Sequence, residues 1–158
     1  MELQGSPHAS GRRFAIVVSS FNKEITDGLL RGARALLSES GVSDADVTIV
    51  RVPGAFEIPL AARQLATTGR FDGVICLGCL IKGDTMHFEY IADAASHGIM
   101  AVSADTGIPV TFGVLTTLTE EQAVRRSADG PDNKGREAAL AAVEMATIVQ
   151  AIEGLGQA

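Results

Sequence analysis

Four short runs of apolar, often β-branched residues alternate along this chain with segments whose apolar positions return every three or four residues. Arg13 to Ser19 (RFAIVVS) predicts a strand, and from Asn22 onward Ile25, Leu29, Ala33 and Leu36 recur at helical spacing until Gly41 supplies a stop. Asp46 to Val52 predicts a second strand and Pro53-Gly54 a turn. Leu60 to Ala66 then continue a helix whose first turn accommodates Pro59. Phe71 to Ile81 predicts the third strand, His87 to about Ala104 the third helix, and Pro109 to Thr116 a fourth strand rich in Val, Phe and Thr. Two helical stretches close the chain: Thr119 to about Ser127, opened by the capping-box-like Thr119-Glu120-Glu121-Gln122, and an Ala-rich one from about Lys134 to Glu153.

Strands that alternate with helices through short connections predict an α/β fold with a parallel sheet covered on both faces. Residues 1–12 read as a flexible N-terminal arm and residues 13–158 as a single domain. Each expected strand ends in a polar or glycine-rich turn: Ser19-Ser20-Phe21-Asn22, Pro53 to Glu57, Lys82 to His87, and Thr116-Thr117. In a parallel sheet these turns share one edge and line one cleft, where helix N-termini favour an anion.

Composition narrows the partners. The net charge is −6 with no block of Lys or Arg, which argues against nucleic acid and anionic membranes. No apolar h-region opens the chain, and no unbroken apolar stretch reaches the roughly 18 residues of a membrane span, so the expectation is a soluble cytoplasmic protein. Cys76 and Cys79 form a C-x-x-C inside an expected buried strand. Three residues apart on a strand they point to opposite faces, which disfavours a disulfide or a shared metal, and no metal is expected. His87-Phe88-Glu89 carries the H-x-E of zinc deaminases, but no Pro-Cys-x-x-Cys follows. Neither a phosphate-binding G-x-x-x-x-G-K-[ST] nor a dinucleotide G-x-G-x-x-G is present.

The densest chemistry lies in Gly78-Cys79-Leu80-Ile81-Lys82-Gly83-Asp84-Thr85-Met86-His87-Phe88-Glu89. An apolar strand ends there in a polar turn, and a helix begins. Free backbone amides, the Thr85 hydroxyl and an imidazole at His87 suit a small phosphorylated substrate that needs acid/base help, because imidazole exchanges protons near neutral pH.

Together with Val52 to Pro59 (VPGAFEIP), Phe112 to Thr117 (FGVLTT), Glu121-Gln122-Ala123 and Asn133-Lys134-Gly135, this segment resembles the signatures of the 6,7-dimethyl-8-ribityllumazine synthase family, in that family's order. The resemblance covers about Phe14 to Met145. It implies a flavodoxin-like three-layer sandwich with a four-stranded parallel sheet, no cofactor, and the penultimate step of riboflavin synthesis. In that step 5-amino-6-ribitylaminouracil condenses with 3,4-dihydroxy-2-butanone 4-phosphate, releasing phosphate and water.

Carried over by residue, the resemblance implies that Phe21 stacks on the pyrimidine and that Ala55, Phe56 and Glu57 hold the uracil and ribityl chain. Cys79, Leu80 and Ile81 would give main-chain bonds to the ring, Asp84 and Thr85 the phosphate turn, and His87 the acid/base. Phe112, the phosphate-binding Arg126 and the basic Lys134 are expected from a neighbouring subunit of a homopentamer, and riboflavin synthase is a further partner to consider. The loop from Ser127 to Asn133 lacks the insertion of some shell-less relatives, which leaves a larger icosahedral shell open. Ala128, Asp129 and Asp132 depart from the family's loop, and Met86 stands where Thr is frequent. Carboxylates close to a phosphate site weaken it unless they point away. A shell-forming or flavin-binding relative with little catalysis is the alternative, and the joint presence of Phe21, Glu57, Thr85, His87 and Arg126 favours the enzyme.

Overall fold

The computed structural model describes residues 1–157. Strand β1 (Phe14–Ser19) leads into helix α1 (Lys23–Glu39), and a 3-10 turn over Asp44–Asp46 precedes β2 (Val47–Val52). A second 3-10 turn, Ala55–Glu57, opens α2 (Ile58–Ala66); β3 (Gly73–Ile81), α3 (His87–Thr106), β4 (Val110–Thr117), α4 (Glu120–Ser127) and α5 (Lys134–Leu155) follow. All the expected elements are present. Asp46 belongs to the 3-10 turn rather than to β2, because Ser43 caps that turn by accepting from the Ala45 N–H. Helix α3 runs to Thr106, and Gly107 ends it in the left-handed conformation (φ 72°) that glycine adopts without strain.

The sheet is parallel throughout, with strand order β2-β1-β3-β4. From β1 the chain steps outward to β2 and then back across to β3. A right-handed crossover therefore puts α1 on one face and α2 and α3 on the other. Phe14, Ile16, Val18, Ile75, Leu77 and Leu115 pack under α1 and α5, whereas Ala15, Val17, Val74, Cys76, Leu80 and Val114 pack under α2 and α3. Strands β1 and β3 are buried on both faces, which is why they read as unbroken apolar runs; β2 lies at an edge and is half open.

Cys79 faces the α1/α5 core and Cys76 the opposite one, as strand geometry requires. Both are free, and burial pushes their thiols up to about 11 and about 12, so neither is a reactive thiolate.

The structure adds two points to the sequence reading. Within the N-terminal arm, Ser6 N–H donates to Thr147 Oγ1 (2.8 Å), Ala9 N–H donates to the Ser40 carbonyl (2.9 Å), and Ala9 is buried. The arm thus lies along α5 and the end of α1. Second, α5 is by length and composition apolar enough to cross a membrane, although Glu144 and Glu153 interrupt it, so it is not an unbroken apolar stretch of that length. Its composition has a packing explanation: Gly135, Ala138, Ala139, Ala142, Val143 and Ala146 form the buried face, and small side chains let α5 approach α1 closely.

Candidate active site

The order of strands reverses between β1 and β3, and a crevice opens there at the carboxyl edge of the sheet. Backbone bonds fix the three turns that line it. Ser20 N–H donates to the Val52 carbonyl (2.8 Å) and Phe21 N–H to the Pro53 carbonyl (3.1 Å), which stitches the β1–α1 turn to the end of β2. Asn22 sits in the left-handed region (φ 55°), and its Nδ2 donates to the Cys79 carbonyl (3.0 Å), which stitches the same turn to β3. With both sides held, the Phe21 ring is turned outward and is 65% exposed. Pro53-Gly54 and the 3-10 turn then present Phe56, 60% exposed, beside Glu57. Beyond β3, Lys82 N–H still donates to Thr117 (2.9 Å), so the chain leaves the sheet only at Gly83 and turns into α3. There Thr85 Oγ1 accepts from the His87 N–H (3.4 Å).

The resulting cleft has a volume of about 690 Å³. Phe21, Ala55, Phe56, Glu57, Leu80, Ile81, Thr85 and His87 all line it, joined by Gly54, Gly83, Phe88 and Ile91. Its walls are mainly apolar and aromatic, with a carboxylate, a hydroxyl and an imidazole as the polar groups. Such a cleft can stack a flat heterocycle and exchange protons with it.

Cys79 and Asp84 are not on its wall. The Cys79 thiol is buried in the α1/α5 core and its carbonyl is occupied by Asn22; Asp84 lies exposed in the turn between β3 and α3. Phe112, Arg126 and Lys134 are elsewhere too. They line a separate cavity of about 320 Å³ at the free edge of β4, with Thr111, Thr116 and Glu137. Arg126 Nη1 donates to the Gln122 carbonyl (3.1 Å), and Lys134 pairs with Glu137 (2.6 Å). Asp129, one of the loop's departures, pairs with Arg31 of α1 (3.1 Å), so one added carboxylate is already engaged outside this cavity.

Two asparagines with structural consequences escaped the sequence reading as individuals. Asn22 holds the Phe21 turn, and Asn133 ties the α4–α5 loop to α1. Asn22 had one available signal, since asparagine is enriched in left-handed conformations at strand-to-helix turns. Phe88 and Ile91 were readable as the next positions on the cleft-facing side of α3. Among the described residues no three His, Cys, Asp or Glu side chains are grouped to hold a metal.

Comparison with known proteins places the chain in a family. The family model described as 6,7-dimethyl-8-ribityllumazine synthase matches residues 11–150. A protein of that name from Desulfotalea psychrophila is 50% identical over 151 residues, covering 96% of this chain and 97% of the relative. One named 6,7-dimethyl-8-ribityllumazine synthase 1 from Caulobacter vibrioides is 59% identical over 129 residues, 82% of this chain and 84% of the relative. A third, from Salinibacter ruber, is 49% identical over 152 residues, 96% and 97% of the two chains. The matched span contains every element from β1 to α4 and most of α5, together with both cavities, and the chain therefore belongs to the 6,7-dimethyl-8-ribityllumazine synthase family, as an enzyme of the transferase class with a role in riboflavin biosynthesis.

Proposed function

We propose that this chain condenses 5-amino-6-ribitylaminouracil with 3,4-dihydroxy-2-butanone 4-phosphate to give 6,7-dimethyl-8-ribityllumazine. The observation that carries the reading is the convergence of Phe21, Phe56, Glu57, Thr85 and His87 on one cleft, in a chain of this family. The aromatic amine of the pyrimidine attacks the ketone, and loss of water leaves an imine. Phosphate then departs, and the ribitylamino nitrogen closes the ring on the remaining carbonyl with loss of a second water. The substrate amine is the nucleophile, so no activated serine or cysteine is needed. His87 moves protons at each stage, Phe21 stacks on the pyrimidine, and Glu57 accepts from the uracil or the ribityl chain. Holding both substrates in one cleft makes a bimolecular encounter effectively intramolecular, which supplies much of the acceleration.

The phosphate group would be met by the backbone amides of the Asp84-Thr85 turn, by the Thr85 hydroxyl and by Arg126, whose guanidinium fork matches phosphate bidentately. Arg126, Lys134 and Phe112 line a different cavity of the same chain from His87. That separation supports a site completed by a second copy, in a homopentamer or a larger shell. Exposed Leu118, Val124 and Met145 supply apolar surface for such packing. The expected setting is the cytoplasm, and riboflavin synthase is the enzyme that would take the product.

Incubation of the purified protein with both substrates, followed by lumazine absorbance, tests the reaction. Product formation is expected, and its absence with intact folding would favour a binding or shell-forming relative. Light scattering at micromolar concentration should report at least a pentamer. A stable, active monomer would refute the shared site.

A further inference from the structure

Asn133 is 1% exposed, and its side chain is fully used. Its Oδ1 accepts from the Arg136 N–H (3.0 Å) and caps α5. Its Nδ2 donates to the carbonyls of Gly28 (3.0 Å), Ser127 (3.0 Å) and Ala128 (3.1 Å). An amide nitrogen has two hydrogens, so one of the three bonds is shared. Gly32 makes room for it, since a Cβ there would lie 2.9 Å from Nδ2, and Gly28 makes room for Ser127, since a Cβ there would lie 3.2 Å from the Ser127 Cβ.

Capping alone does not call for asparagine, since serine, threonine or aspartate would cap as well. Donation to three carbonyls does. Two of those carbonyls belong to the residues directly after Arg126, the third belongs to α1, and Lys134 directly follows Asn133. One buried amide thus joins the end of α4, the start of α5 and the middle of α1, and both cations that line the β4 cavity are bonded next to it.

We propose that Asn133 is a positioning residue for phosphate recognition, fixing the spacing between the Arg126 guanidinium and the Lys134 ammonium so that both meet one phosphate-bearing ligand. This rests on the reading of the β4 cavity as the phosphate end of the site. A bidentate pair tolerates little displacement, and a shift of about 1 Å in a positioned group can cost on the order of 100-fold.

Two substitutions separate capping from tethering. Asn133→Asp keeps the shape and the cap but turns a carboxylate oxygen toward three carbonyls; Asn133→Ser keeps a capping oxygen and removes the donor. Calorimetric titration with inorganic phosphate, on these two variants, Arg126→Ala and the unaltered protein, reads the effect directly. Expected are cooperative thermal melts for both Asn133 variants and phosphate affinity down about 10-fold or more. KM for the butanone phosphate should rise in parallel, with KM for the pyrimidine within about twofold.

Equal weakening of both substrates, or phosphate affinity unchanged in the Asn133 variants while Arg126→Ala loses it, would overturn the inference alone. An Arg126→Ala protein that binds phosphate like the unaltered one would overturn the phosphate reading of the cavity, and the inference with it. Should Asn133→Asp not fold, Asn133→Ser carries the same test; failure of both to fold would make Asn133 a residue of folding rather than of positioning and overturn the inference.

Discussion

Gly135 and Gly154 both lie in α5, and the same substitution at the two sites should have opposite effects. At Gly135 the start of α5 presses on the backbone of α1. A Cβ there would lie 2.6 Å from the Leu29 carbonyl carbon and 2.8 Å from its Cα, and closer still to its oxygen, whereas real Cβ atoms essentially never come within 3.0 Å. Ordinary contact begins at 3.4 Å, so α1 and α5 must separate by at least about 0.8 Å at this point. The obstacle is main chain in a helix, so no rotamer change relieves it. Overpacking of this kind costs about 1–3 kcal/mol, and rigid backbone places it near the upper end. Removing a helical glycine returns at most about 1 kcal/mol. Gly135→Ala should therefore be destabilised by about 2 kcal/mol, a fall of roughly 4–8 °C in Tm for a chain of this size. At Gly154 nothing lies within 4 Å of the added Cβ, so Gly154→Ala should gain about 0.5–1 kcal/mol. Melts followed by circular dichroism at one fixed protein concentration compare the two, since assembly makes Tm depend on concentration. A Gly135→Ala protein as stable as the unaltered one would refute the close approach of α1 and α5.

Three further outcomes are expected. His87→Ala should lower kcat by about 10- to 1,000-fold with a modest change in KM, because the imidazole assists proton transfer more than it holds substrate; steady-state kinetics at unaltered kcat would remove it from the mechanism. Ser19 is 1% exposed, and among the described residues its Oγ has no hydrogen-bond partner, so Ser19→Ala should be neutral or stabilise by up to about 1 kcal/mol in urea titration, and a clear loss would contradict the orphaned hydroxyl. A hydrogen bond from Lys23, with another from Arg51, holds the Asp27 carboxyl below its ordinary 3.8 despite partial burial. A depressed folded pKa means that its stabilisation is present above 3.8 and is lost as pH falls through the lower folded value. Asp27→Asn should accordingly be slightly less stable than the unaltered protein at about pH 6, with the difference shrinking as pH falls below 3.8, and a urea-midpoint difference that does not shrink in acid would defeat the argument.

The alternation of apolar runs with 3.6-residue periodicity determined the elements by itself, since strands and helices answer to local repeats that any neighbour must respect. It also determined that Cys76 and Cys79 face opposite cores and that the polar turns after β1, β2 and β3 share an edge, and eight of the named residues do meet in one cleft. The turn after β3 was legible because an apolar strand ending in Lys82-Gly83-Asp84-Thr85 can only expose that segment. What the pattern left undetermined depends on contacts between residues far apart in sequence. Strand order is one such matter: crossover direction places the reversal between β1 and β3, and no local repeat encodes it. Another is the use of the Cys79 carbonyl, which Asn22 takes from 57 positions away. The separation of Arg126 and Lys134 from His87 likewise follows from where α4 and α5 pack, at the far edge of β4. The pairing of Asp129 with Arg31 and the burial of Asn133 among α1, α4 and α5 arise only when those helices close on one another. A side chain's partner in such a place is chosen by the whole packing of the helices around it, and the tertiary structure alone decided that.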